Sequence, residues 1–226
     1  MFFNKKKNKL KEKISFIKNN NDLIEELKEK GIDNKNILDS IKKVPREFFV
    51  NKASVQWAYE NAPLPIDCNQ TVSQPYVIAY MIDCLKIKKT DTVLEIGTGT
   101  GYQTAIISHL CRKIHTIEIF DKLRSQAKIN HDMLKIKNVD YKLGDGSHGW
   151  DKNFLFDSII VSAATEKIPH KLLESLKKYG NLIIPKKYPS DNQKLILIKK
   201  INENNFDQKE LIDVKFVPLL HKRVEH

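Results

Sequence analysis

Thr92-Val93-Leu94-Glu95-Ile96-Gly97-Thr98-Gly99-Thr100-Gly101-Tyr102 carries the reading of the fold. Five residues rich in Val, Leu and Ile run into three alternating glycines, and helical spacing begins at Tyr102. A buried strand, a sharp glycine turn and a helix, in that order, open a Rossmann-like α/β unit. Glycine is otherwise scarce, with eight residues in 226, about half the usual share of ~7%. A chain so poor in glycine keeps it where positive φ or close backbone approach leaves no alternative. Gly97, Gly99 and Gly101, and further on Gly144, Gly146 and Gly149, therefore mark two tight backbone sites.

Downstream of the turn the pattern alternates. Tyr102 to Leu110 reads as a helix, Lys113 to Ile119 as a strand, Asp121 to Ile136 as a helix and Val139 to Leu143 as a strand. Phe156 to Val161 is a fourth strand, Pro169 to Leu176 a helix with Pro at its start, and Asn181 to Pro185 a fifth strand. Repeated β-α-β units make a mostly parallel sheet with helices on both faces, and ligands bind at the carboxyl ends of its strands. Leu195 to Ile201 and Leu211 to Val217, joined by an Asn-rich turn, are expected to add antiparallel strands at one edge.

Upstream, Leu23, Ile24 and Leu27 form an apolar stripe closed by Gly31, and Ile37, Leu38, Ile41 and Val44 form another that ends before Pro45. These short helices read as an N-terminal cap over residues 1–60. Residues 61–226 then form one domain: a loop over 61–75 bracketed by Pro63, Pro65 and Pro75, a cofactor-binding core over 76–190 that begins with a helix from Tyr76 to Leu85, and antiparallel strands over 191–226.

The spacing of the glycine turn selects its ligand. A dinucleotide fingerprint is G-x-G-x-x-G, with pyrophosphate at the helix N-terminus. Here the glycines alternate as G-x-G-x-G, and Glu95 stands two residues before the first. An acid so close opposes phosphate and suits a cation. S-adenosyl-L-methionine carries a sulfonium and an ammonium and no phosphate. Glu118 ends the second strand, 21 residues after Gly97, where a Rossmann-like fold places the acid that accepts both ribose hydroxyls. Asp145-Gly146 follows the third strand, where a carboxylate can accept from an adenine amino group. Turn, acid and Asp-Gly each fall after their own strand, in order.

Composition limits the partners. The length suits one elaborated domain. No apolar run approaches the ~18 to 20 residues of a membrane span, and Lys5-Lys6-Lys7 follow only a short apolar pair with no apolar stretch behind, unlike a secretory signal. A cytoplasmic protein without a membrane partner is expected. Lys and Arg number 39 against 28 Asp and Glu, a net +11. Only Arg46, Arg112, Arg124 and Arg223 are arginine, so the excess lacks the rigid fork that reads guanine or clamps phosphate, and no specific nucleic acid is expected. Cys68, Cys84 and Cys111 show no C-x-x-C spacing, and the seven histidines no H-x-x-x-H spacing, so no metal site is expected.

From about Val44 to Leu219 the chain resembles the protein-L-isoaspartate O-methyltransferases. The likeness rests on Val44-Pro45-Arg46-Glu47-Phe48-Phe49-Val50, Gln70-Thr71-Val72-Ser73-Gln74-Pro75, the stretch Val93 to Thr104, Gly144-Asp145-Gly146 and Val217-Pro218-Leu219. The Gln-Thr-Val-Ser-Gln-Pro loop is similar to that family's active-site loop, which implies that Ser73 is the catalytic serine and that Thr71 flanks the same pocket. The resemblance implies an S-adenosylmethionine-dependent methyltransferase fold, with cofactor contacts from Thr71, Glu95, Gly97, Thr98, Gly99, Gly101, Tyr102, Glu118, Asp145 and Gly146. It implies substrate contacts from Ser73, Ala163 and Phe216, the alternative for the last two being core packing. Two departures stand out: Cys68-Asn69 replaces the family's glycine before Gln-Thr, and Lys177-Lys178-Tyr179-Gly180-Asn181 replaces its Lys-Pro-Gly-Gly.

The implied activity is methyl transfer to the free carboxylate of L-isoaspartyl residues in damaged proteins and peptides, carried out by a monomer. That carboxylate is ionised at pH 7, so no strong base is needed. One rival is an RNA methyltransferase. Amino-group methylases carry Asn/Asp-Pro-Pro-aromatic after the fourth strand, where this chain has Ser162-Ala163-Ala164-Thr165. A second rival is a non-catalytic module that binds nucleic acid through its lysines.

Overall fold

The computed structural model describes residues 18–221. The lysine-rich opening, with the Met1 to Lys7 reading and the first part of the cap, lies outside the described residues, as do Arg223 and His226.

α1 (Asn20–Glu29) and α2 (Lys35–Lys43) are the two apolar stripes of the cap. α1 starts on a capping box, with Asn19 accepting from the Asn21 and Asp22 amides while Asp22 accepts from the Asn19 amide. It closes at Gly31, where the Ile32 amide donates to Leu27 O at 3.0 Å. Leu23, Leu27 and Ile41 are fully buried, each stabilising the fold by about 1.5–3 kcal/mol. They share one apolar cluster with Val93 and Ile106 of the central layer, so the cap closes over the same core as the sheet. Short 3-10 turns over Arg46–Phe49 and Lys52–Trp57 follow.

The segment expected as a loop contains a small hairpin, β1 (Leu64–Pro65) paired antiparallel with β2 (Thr71–Val72). Two-residue strands leave no period in the sequence. Its turn runs through Cys68 and Asn69, both left-handed at φ 59° and 54°. Asn tolerates that conformation; Cys rarely adopts it. α3 (Pro75–Leu85) then starts on its proline.

The main sheet is built from β3 (Thr92–Ile96), β4 (Lys113–Glu118), β5 (Val139–Leu143), β6 (Phe156–Val161), β7 (Leu176–Lys187), β8 (Gln193–Lys200) and β9 (Phe206–Val214). Its order is β5-β4-β3-β6-β7-β8-β9, parallel through β7 and antiparallel for the last two. This is the Rossmann-like sheet that the alternation predicts. β3 and β6 are neighbours although β4 and β5 intervene in the chain, so the crevice at their carboxyl ends is the topological switch point where ligands bind. α3, α4 (Tyr102–Ser108) and α5 (Asp121–Met133) pack against one face, with Val93, Ile160 and Ile183. α6 (His170–Glu174) packs on the other, with Leu94, Ile159 and Leu182. No helix among the described residues is long and apolar enough to cross a membrane.

Several expected boundaries are corrected. β4 stops at Glu118 rather than Ile119, because the Glu118 carboxylate itself takes the Ile119 and Phe120 amides. α4 ends at Ser108 rather than Leu110, and α5 at Met133 rather than Ile136, where Lys135 at φ 56° closes the helix. α6 covers five residues instead of reaching Leu176, because Ser175 O accepts from the Phe156 amide and Leu176 pairs with Phe156 in the sheet. β7 accordingly starts at Leu176 rather than Asn181, and absorbs a register shift opposite Phe156–Ser158, where Tyr179 is left-handed at φ 66°. β9 spans Phe206–Val214, five residues earlier at its start than the expected Leu211 to Val217.

Candidate active site

The turn after β3 carries positive φ at Gly97, Gly99 and Gly101, at 91°, 54° and 95°. At Gly101 space decides as well: a Cβ there would lie 2.5 Å from His131 Nε2. The His131 ring is fully buried, with Nε2 2.7 Å from Gly101 O and Nδ1 2.6 Å from the Tyr141 hydroxyl. Burial pulls its pKa down, which keeps it neutral, and the neutral ring donates to the carbonyl and accepts from the phenol. Its neighbour Asn130, also buried, donates to Thr100 O at 2.9 Å. Two side chains of α5 thus hold two consecutive carbonyls of the glycine turn.

Beyond the turn a cleft opens at the carboxyl ends of the strands, where sheets of this kind bind their ligands. Gly97, Thr98, Gly99 and Tyr102 line it from the turn, Glu118 and Gly146 from the ends of β4 and β5, and Thr71, Ser73 and Ala163 from the hairpin side and the end of β6. Glu118 Oε2 accepts from the Gly99 amide at 2.8 Å, and Oε1 from Ile119 and Phe120 at 2.9 and 3.0 Å. Burial pushes its pKa up while these three amides pull it back. Gly146 is glycine because a Cβ would stand 2.2 Å from Ile96 Cγ2.

Three of the expected cofactor residues are not on this wall. Glu95 is fully buried behind it, accepting from Gln103 at 3.0 Å, from Thr116 at 2.7 Å and from Thr104. Its reach to the cleft is through Gln103, whose amide also donates to Ser162 Oγ at 2.8 Å. Gly101 faces His131 rather than the cleft. Asp145 caps the turn over Gly146–His148 by accepting from the Ser147 amide at 2.8 Å, and its other oxygen lies 4.0 and 3.9 Å from His148 and His221.

A second cleft adjoins the first and shares Thr71, Ser73, Ser162 and Val217 with it; Phe216 lines the second. Ser73 is half-buried at this junction, and its hydroxyl makes no hydrogen bond among the described residues. The loop that carries it is pinned from behind by Arg46. This fully buried guanidinium donates to Ala58 O, Glu60 O and Ala62 O at 2.9 Å and to Ser73 O at 3.1 Å, and lies over the Tyr102 ring. Burial lowers its pKa to about 10, so it remains charged at neutral pH. Gln74 adds a bond to Asn61 O at 2.7 Å.

Arg46, Gln103, Asn130 and His131 were not singled out from the sequence. For Arg46 one signal existed: a chain that uses lysine almost everywhere keeps only four arginines, and only the guanidinium fork reaches four carbonyls at once. The others act through partners 8 to 59 residues away, which no local pattern reveals.

The family model described as protein-L-isoaspartate(D-aspartate) O-methyltransferase matches residues 18–224. A protein-L-isoaspartate O-methyltransferase of Parvibaculum lavamentivorans is 42% identical over 88% of this chain and 90% of its own length. One of Dictyoglomus turgidum is 46% identical over 87% and 89%. A solved protein-L-isoaspartate O-methyltransferase superposes with TM-score 0.80 at 28% identity, over 88% of this chain and 65% of that one. A Plasmodium falciparum structure in complex with S-adenosyl-L-homocysteine gives 0.79 at 25% identity, over 91% of this chain and all of the other. The match runs through the cap, the Ser73 loop, the glycine turn and the C-terminal strands alike, and the chain belongs to the protein-L-isoaspartate(D-aspartate) O-methyltransferase family.

Proposed function

We propose that this chain methylates the free α-carboxylate of L-isoaspartyl residues in damaged proteins and peptides, with S-adenosyl-L-methionine as methyl donor. The observation that carries the reading is the Ser73 hydroxyl, without a hydrogen-bond partner among the described residues, at the junction of two clefts on a loop fixed by Arg46.

The first cleft fits the donor. Its wall holds a buried carboxylate, Glu118, suited to ribose hydroxyls, a glycine turn that allows close approach, and, among the described residues, no lysine or arginine that a phosphate would call for. Glu118, Gly97, Thr98, Gly99, Gly146 and Thr71 would hold it, with Asp145 at the rim. Glu95, Gly101 and Tyr102 would set the shape of that wall. When bound, the donor supplies a methyl group activated by its sulfonium.

The protein's own part is positional. The acceptor carboxylate is already ionised at neutral pH, so no residue has to remove a proton. Ser73 donates one hydrogen bond to a carboxylate oxygen and turns the other toward the donor; with no histidine bonded to it, it is an orienting group and not a nucleophile. Ala163 and Phe216 would bound the acceptor, the small alanine leaving room for a peptide backbone. Methyl esterification makes a better leaving group, after which succinimide formation and hydrolysis return some normal aspartate. The reading takes the enzyme as a monomer acting on cytoplasmic proteins, with no nucleic acid or membrane partner. Functionally, the cap over 1–60, the loop over 61–75 and the strands over 191–226 frame the core over 76–190.

The test is transfer of labelled methyl to a synthetic isoaspartyl peptide, beside its aspartyl twin and bulk RNA. Base-labile label should enter the isoaspartyl peptide alone. Ser73→Ala should lower kcat/KM by roughly 10- to 100-fold, the cost of one hydrogen bond to a charged group, with S-adenosyl-L-homocysteine binding unchanged. Cofactor binding without label on either peptide would refute the substrate, and label on RNA would put the rival in its place.

A further inference from the structure

β9 ends at Val214, and the residues that follow leave the sheet to run along both clefts. Hydrogen bonds on two sides fix their path. On one side the Ala164 amide donates to Val217 O at 2.8 Å and Ala164 O accepts from the Leu219 amide at 2.7 Å, as a parallel bridge centred on Pro218. On the other side there is no strand to pair with. β8 begins at Gln193, opposite Val214, and past that point the Gln193 side chain takes the strand's place. The Phe216 amide donates to Gln193 Oε1 at 2.7 Å, and Gln193 Nε2 donates to Phe216 O at 3.1 Å. One side-chain amide thus satisfies both backbone groups of a residue that lines the second cleft, as a neighbouring strand would. The chemistry is restrictive: Asn is a methylene shorter, and a carboxylate has two acceptors and no donor.

Resting on the isoaspartyl reading above, we infer that Gln193 is a positioning residue for the acceptor. It holds Phe216, and with it the 213–217 wall, at the distance at which an acceptor lying in the second cleft meets the Ser73 hydroxyl. The Ala164 bonds hold Val217 and Leu219 beside the donor cleft without Gln193. Loosening the glutamine therefore costs acceptor affinity and spares donor affinity.

Gln193→Glu tests this with no change of shape. At pH 8 the carboxylate cannot donate to Phe216 O and repels it, so the KM for an isoaspartyl peptide should rise about ten-fold. The KM rise should come with kcat and the Kd of S-adenosyl-L-homocysteine within about two-fold of wild type. Protonation restores a donor, so the defect should shrink from pH 8 to pH 5, a carboxyl facing a carbonyl oxygen titrating above its usual ~4.3. The charged groups around that end of the sheet balance: Lys186, Lys187, Lys194 and Lys215 against Glu166, Asp191, Glu210 and Asp213. A KM unchanged at pH 8, a defect equal at both pH values, or a parallel loss of S-adenosyl-L-homocysteine affinity overturns the proposal. A wild-type protein that binds S-adenosyl-L-homocysteine but labels no isoaspartyl peptide overturns the acceptor reading itself. Amide exchange reads the clamp in either case: Phe216 N–H, which donates to Gln193 Oε1, should be protected in wild type and exchange faster in Gln193→Ala, which removes that acceptor, and equal protection overturns it.

Discussion

Glu95 shows what a single acid can be asked to do once it is shut away from water. Burial pushes its pKa up to about 7 even though Thr104, Thr116 and Gln103 all donate to it. The folded value lies above the ordinary 4.5, so Glu95 favours the fold most when protonated, and that contribution is lost as pH rises through about 7. Glu95→Gln cannot ionise. Its unfolding free energy relative to wild type should therefore rise by about 3 kcal/mol between pH 4.5 and pH 8, measured by urea titration at several pH values. A difference that stays flat across that range would mean the carboxylate is no harder to charge in the fold than in water. The acid and its distance from the glycines were legible in the sequence, whereas its side of the strand was not. β3 is buried along its whole length, so alternation of polar and apolar residues gives no cue to which face a side chain takes. Glu118 was easier, because an acid at a strand's carboxyl end has only the crevice before it.

Pairs of elements set the shape of the glycine turn. α5 crosses behind α4's first residues and presses the His131 ring against Gly101, with Phe49 of the cap 6.1 Å away across the ring centroids. Held by Gly101 O and the Tyr141 hydroxyl, the ring has no room to retreat. Gly101→Ala combines this clash with a positive φ, and should destabilise the protein by about 2–5 kcal/mol. Melting curves with and without S-adenosyl-L-homocysteine would read both the stability and the turn's fit to its ligand. Adding His131→Ala should recover part of the loss, since it removes the clash but not the strained backbone; a Gly101→Ala protein as stable as wild type would refute the lock. At this scale β3 and β6 were read to the residue, because strands covered on both faces are apolar runs with sharp ends, whereas β7 was placed but starts five residues before the expected Asn181. β9 was not. Of its nine residues none is fully buried, and its strand state comes from pairing with β8 rather than from any preference of its own. The β1–β2 hairpin was invisible for the opposite reason, being too short to have a pattern.

The +11 charge belongs to the molecule as a whole and has to be judged by where it sits. Some lysines pair with acids at separate places in the fold: Lys18 with Glu26 on the cap, Lys113 with Asp140 across β4 and β5, Lys177 with Asp157 at β7, Lys194 with Glu210 on the last strands. Among the described residues no lysine lines the first cleft, and Lys215, beside Asp213, is the one lysine on the second. A surface built to hold nucleic acid would converge on the site and release counterions on binding, with log affinity falling by ~0.7 to 0.9 per phosphate contact for each unit of log salt. Lysines that are dispersed, some of them paired with acids, predict otherwise. Between 50 and 300 mM salt, kcat/KM for an isoaspartyl peptide should change by no more than about three-fold, because exposed pairs are already screened. Excess RNA should leave the rate unaltered at 50 mM salt, where electrostatic competition is strongest. Inhibition by RNA that disappears steeply as salt is raised would show that the lysines act together after all, and would make the charge part of the function rather than of the composition.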